Sequence, residues 1–131
     1  MRIQRILYRL SQAKRRTQIE DKILDLGIAL EMLLLQDNRN REQLSLSFRL
    51  RGSWLIGQSA EDRHEKYLRL RDIYNYRSDV AHGGMLCRGE EAKIENMRRS
   101  FPVYQRLAED ICQKIIKGGK PDWTRLVLGA I

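Results

Sequence analysis

Only two prolines interrupt 131 residues, and apolar side chains return at three- and four-residue intervals along almost the whole chain. Proline is the residue that most strongly breaks a helix, and this apolar period is that of a helix with one buried face. No segment alternates as a half-buried strand does. The chain is therefore expected to be all-α, a small bundle of about five helices. A length in the ordinary single-domain range supports one hydrophobic core. Residues 1–131 read as one domain, with 121–131 a C-terminal tail docking on the bundle.

Ile3, Ile6, Leu7 and Leu10 form the stripe of a short first helix, with Arg2, Arg5 and Arg9 off that stripe. Thr17 and Glu20 form a capping-box pattern ahead of Ile19, Ile23, Leu26, Leu30 and Leu33, which predicts a second helix to about Leu35. The polar run "QDNRNRE" separates it from a third segment ending near Gly57, in which Leu46, Leu50 and Trp54 share one face. Ser59 and Asp62 repeat the capping signal before a long fourth helix bearing Tyr67, Leu70, Ile73 and Tyr74, with Gly83-Gly84 as its stop. Pro102 is expected in the first turn of a last long helix, with Val103, Leu107, Ile111 and Ile115 as its stripe. Lys117-Gly118-Gly119-Lys120-Pro121 combines basic last-turn, glycine-cap and proline-stop signals.

About 42% of residues are apolar and 32% charged, and no apolar run approaches a bilayer span. No membrane association through a spanning helix is expected. The opening MRIQRILYRL has no continuous apolar stretch ending in a small-residue cleavage site, so a cytoplasmic protein is expected. Cys87 and Cys112 stand alone, without a partner at metal-ligand spacing, and read as structural thiols. Neither a metal nor a cofactor is called for. The formal charge of +8 attracts polyanions, and RNA or DNA heads the partner classes, ahead of an anionic membrane surface or an acidic protein.

Within "YNYRSDVAHGGM", Arg77 precedes His82 by five positions, just before two glycines. About one residue in seven is arginine, so the bare spacing is a weak signal. Its setting at a helix end beside glycines gives a ligand close access. Histidine titrates near neutrality and suits proton transfer from a ribose 2′-hydroxyl or to a leaving oxygen. Arginine offers a planar fork of donors that matches a phosphate and its transition-state charge. That route needs no metal and predicts RNA cleavage to a 2′,3′-cyclic phosphate. Five helical residues turn through about 500°, so the two side chains diverge by roughly 140°. They converge if the helix frays at His82, if the arginine arm curls round, or if two copies of the helix meet. The last option predicts a homodimer through this helix. The competing reading makes Arg77 a structural ion-pair residue and His82 a partner of the helix C-terminal dipole.

Three blocks in order, "IALEMLLL", "LSFRLRGSWLIG" and "IYNYRSDVAHG", make the chain resemble the Apea-like group of the HEPN superfamily over roughly Ile19 to Met85. The resemblance implies a helical bundle that dimerises with its Arg and His motifs facing one another. It also implies a metal-independent endoribonuclease of toxin, antiviral or RNA-processing systems, with an antitoxin or other protein partner. Arg77 and His82 occupy the motif positions, and Ser78, Asp79 and Tyr76 are the neighbouring candidates for substrate contact. Gly84 stands where toxins paired with a nucleotidyltransferase often have a tyrosine, so regulation through that tyrosine is not implied.

Other residues have structural readings. Glu31 lies among Ile28, Met32 and Leu35 and is expected to pair with a cation such as Arg49. His64 reads as solvated. The first helix, with Lys14, Arg15 and Arg16 behind it, either packs its stripe on the bundle or lies on a polyanion. Tyr74 and Tyr76 flank the motif, as core residues or as platforms for a base. A non-catalytic HEPN module that binds RNA, a nucleotide or a protein is the alternative to the enzyme.

Overall fold

A computed structural model of the protein describes residues 3–36, 43–83 and 91–129. All regular structure among them is helical: α1 (Ile3–Arg15), α2 (Ile19–Leu34), α3 (Leu44–Ile56), α4 (Ala60–Gly83), α5 (Glu91–Gly118) and α6 (Trp123–Val127). The expected all-α bundle is present, its sixth helix being the short segment in the tail. No helix among the described residues is long and apolar enough to cross a membrane.

α2 is the centre of the bundle, touching α1, α3, α4 and α5. It is apolar on most of its circumference, and Ile23, Leu26, Leu30, Leu33 and Leu34 are wholly or almost wholly buried. A helix that is apolar nearly all round must be enclosed by others. α1 covers one side with Ile6, Leu10 and Ala13, so the apolar stripe of the basic first helix packs on the bundle. Leu7 of the expected stripe is instead 46% exposed, because the contact face turns toward Ala13. Two of the three cations that follow are engaged in ion pairs: Lys14 with Glu109 and Arg16 with Asp25.

Several local expectations change. Gln18, not Thr17, is the N-cap of α2, and no side chain caps it. Glu20 and Asp21 in the first turn still complement the helix dipole. The cap on α4 does form: Ser59 Oγ accepts from the Asp62 N–H at 3.1 Å, and Asp62 accepts from the Gln58 N–H at 3.0 Å. On α3 the buried residues are Phe48, Gly52 and Ser53 rather than Leu46, Leu50 and Trp54. The tail packs against α3: α6 lies on it, Leu50 shares a surface cleft with Trp123, and Arg51 lies over the Trp123 ring.

Pro102 does not begin a helix. α5 runs unbroken from Glu91, with Pro102 in its interior and exposed. The buried series Met97, Phe101, Tyr104, Ala108 and Ile111 spans the proline, and burial on both sides outweighs one missing backbone hydrogen bond. Val103, from the expected stripe, is 43% exposed. The end of α5 matches its sequence signals: Gly119 takes φ +74° and its N–H bonds to the Ile115 carbonyl at 2.8 Å. Cys112 is buried, which pushes its thiol pKa up. Cys87 and Gly84 lie outside the described residues.

Candidate active site on the fourth helix

Arg77 and His82 both lie on α4, which remains helical through Gly83. Two of the three routes to convergence are therefore closed within one chain. The helix does not fray at His82, and the Arg77 arm does not curl toward it. Arg77 instead reaches across to α2, where its Nη2 donates to Glu31 Oε1 at 3.2 Å. Its buried Nε lies 3.1 Å from Oε2 in an ion-pair contact without an aligned hydrogen bond.

The cation expected for Glu31 is thus Arg77 and not Arg49. Arg49 donates to the Ser45 carbonyl on its own helix and lies over the Tyr67 ring. Glu31 and Arg77 are both largely buried, with side chains 27% and 24% exposed. Burial lifts the Glu31 pKa, and Arg77 opposes that rise only in part.

Room for this pair comes from a residue that sequence reading passed over. Gly27 lies one turn before Glu31 on α2, and a Cβ there would stand 2.3 Å from Arg77 Cγ and 2.8 Å from its Cβ. The arginine stem lies directly against the glycine backbone. A glycine inside an otherwise strong helix sacrifices helix stability, and that cost was the available signal of a close approach.

His82 is exposed, and its ring is nonetheless oriented. Nδ1 lies 2.7 Å from the Ser78 carbonyl oxygen one turn earlier and 3.3 Å from Ser78 Oγ. A carbonyl only accepts, so Nδ1 carries the proton and Nε2 is the basic nitrogen of the neutral ring.

Tyr76 and Asp79 face elsewhere. The Tyr76 hydroxyl accepts from Asn96 Nδ2 at 2.5 Å, and Asp79 pairs with Lys93, whose ammonium also lies 5.9 Å from the Tyr76 ring. These contacts tie α4 to the start of α5, on a different side of the helix from Arg77. Tyr74 is half-buried with its ring edge-on to Phe48, centroids 5.2 Å apart. His64 is exposed. Among the described residues, no three His, Cys, Asp or Glu side chains gather where they could hold a metal ion.

A second clamp holds α1 to α2. Asp25 is 3% exposed and receives Arg9 Nη1 at 2.8 Å and Arg16 Nε at 3.0 Å. Lys22 donates to the carbonyls of Ala13 and Lys14, at 3.0 Å each, satisfying the end of α1. No protein-family model matches the chain, and no curated protein or solved structure matches it either.

Proposed function

We propose that the protein is a homodimeric, metal-independent endoribonuclease of HEPN type. In this reading two α4 helices meet so that Arg77 of one copy and His82 of the other share a cleft. The observation that carries it is the 2.7 Å contact from His82 Nδ1 to the Ser78 carbonyl. It directs the basic Nε2 of an exposed imidazole outward, as a general base requires. Nε2 takes the proton of the ribose 2′-hydroxyl, whose oxygen attacks the adjacent phosphorus. The bond to the 5′-oxygen breaks, and the imidazolium returns a proton to that oxygen. Products are a 2′,3′-cyclic phosphate and a free 5′-hydroxyl. Arg77 donates to the phosphate oxygens as their charge grows.

The +8 charge supports a polyanionic substrate. The HEPN resemblance supports a role in a toxin–antitoxin or antiviral system, with a protein partner covering the cleft when activity is unwanted. One observation favours a second reading, a non-catalytic module that binds RNA, nucleotide or protein: Glu31 already neutralises part of the Arg77 charge.

Incubating labelled RNA with wild-type protein, His82→Ala and Arg77→Ala in EDTA separates the two. Cleavage by the wild type and loss in both variants is the expected result. Retention of cleavage by His82→Ala would overturn the mechanism, and binding without cleavage would favour the module.

A further inference from the structure

A cavity of about 660 Å³ opens beside Arg77, between α1, α2, α3 and α4. Its volume falls within the range of about 300–1,000 Å³ typical of small-ligand sites. Ile28 and Met32 of α2, Leu44 of α3 and the Tyr74 ring form apolar walls. Phe48, edge-on to Tyr74, fixes that ring in place. Polar lining residues are few: the Glu31 and Arg77 pair, Arg5 from α1, and Gln36 just after α2.

We propose that this cavity takes one unstacked nucleobase of an RNA strand, with a phosphate of the same nucleotide at Arg77. The proposal rests on the ribonuclease reading of Arg77 and adds what that reading lacks, a site for the base. Apolar walls and an aromatic ring suit the faces of a base. The Gln36 amide both donates and accepts, and the Glu31 carboxylate accepts, so together they suit the donor and acceptor edge of a base. A saturated acyl chain would make no use of the donors and acceptors that Gln36 and Glu31 offer. Arg5 and Arg77 outnumber Glu31 in charge, which favours an anionic ligand. Glu31 takes one aligned hydrogen bond from Arg77, so the guanidinium has donors left for a phosphate. A base reaches such a cavity only from a single strand or loop.

The full chain is titrated calorimetrically with adenosine 3′-monophosphate and uridine 3′-monophosphate. Adenosine, ribose 5-phosphate and decanoate serve as base-only, phosphate-only and acyl probes. At least one nucleotide is expected to bind at least about tenfold more tightly than any of the three partial probes. Met32→Phe, which fills the cavity without touching Arg77 chemistry, is expected to weaken that binding at least about tenfold and to raise KM for single-stranded RNA similarly. Ile28→Phe serves the same purpose should Met32→Phe lower the melting temperature. The proposal is overturned if ribose 5-phosphate binds as well as the nucleotides, if decanoate binds and they do not, or if folded filling variants bind nucleotide like the wild type. Nucleotide binding lost on filling, in a protein that never cleaves RNA, would uphold the pocket and sink only the ribonuclease reading. Cleavage that needs His82 but ignores both filling variants would do the reverse.

Discussion

Gly27 and Arg77 occupy a single slot between α2 and α4, in which the arginine stem fills the space where any other residue would carry a Cβ. The 2.3 Å approach involves Arg77 Cγ, close to the α4 backbone, so a methyl group at position 27 has no flexible side-chain end to push aside. Gly27→Ala gains about 1 kcal/mol of helix propensity and loses about 1–3 kcal/mol to overpacking. Net destabilisation in urea unfolding is expected, together with a drop in RNA cleavage as the guanidinium is displaced. An unchanged or raised stability would show that α2 and α4 separate freely.

The Glu31 carboxyl titrates above its ordinary range because it is buried, and Arg77 does not fully offset that. Between the unfolded value, about 4.3, and the raised folded one, the native state holds a proton that the unfolded chain has released. The stability contributed is present below that window and is lost as pH rises through it. Glu31→Gln, which cannot ionise, is expected to match the wild type near pH 4 and to gain on it toward pH 7. Urea unfolding of both proteins across that range is the measurement, and a wild type that gains on the variant as pH rises would contradict it. An ion pair with no net benefit to stability is consistent with one kept to aim Arg77.

Asp25 is deeply buried, whereas its partners Arg9 and Arg16 are 41% and 48% exposed. The two sides of the clamp should respond unequally. Removing both arginines strands a buried carboxylate, a loss of about 3–5 kcal/mol. Asp25→Leu leaves two cations that can turn to water, and should cost clearly less. Thermal unfolding of Arg9→Ala/Arg16→Ala and of Asp25→Leu compares them directly, with equal losses as the contrary result.

Because α4 is continuous from Arg77 to His82, the proposed site needs groups from two chains. Arg77→Ala and His82→Ala, each inactive alone, are expected to regain measurable cleavage when unfolded, mixed and refolded together. The mixed dimer keeps one cleft with both groups intact. No recovery, in a mixture shown by mass to contain heterodimers, would place the reaction within one chain.

Much of the bundle was legible because helix periodicity and end signals are local. The Ser59 cap and the Gly119 stop follow from a few neighbouring residues, and both formed where the sequence put them. Pro102 misled because its local rule was outweighed by Met97 and Phe101, whose burial depends on what packs against α5. The face of α3 misled similarly, since Leu46, Leu50 and Trp54 keep helical spacing as well as Phe48 and Gly52 do. Which row turned inward depended on Leu70 and Ile111, whose side chains lie against the bare backbone of Gly52.

By itself, the amino-acid sequence determined an all-helical chain, the positions of most helix ends, and an arginine and a histidine that cannot share a face of one helix. Periodicity and the 100° step of the helix are enough for that. Only the tertiary structure decided that Arg77 crosses to Glu31 over Gly27 and that Asp25 is clamped twice. Those choices depend on residues distant along the chain meeting at fixed separations, and the order of residues does not encode such distances locally.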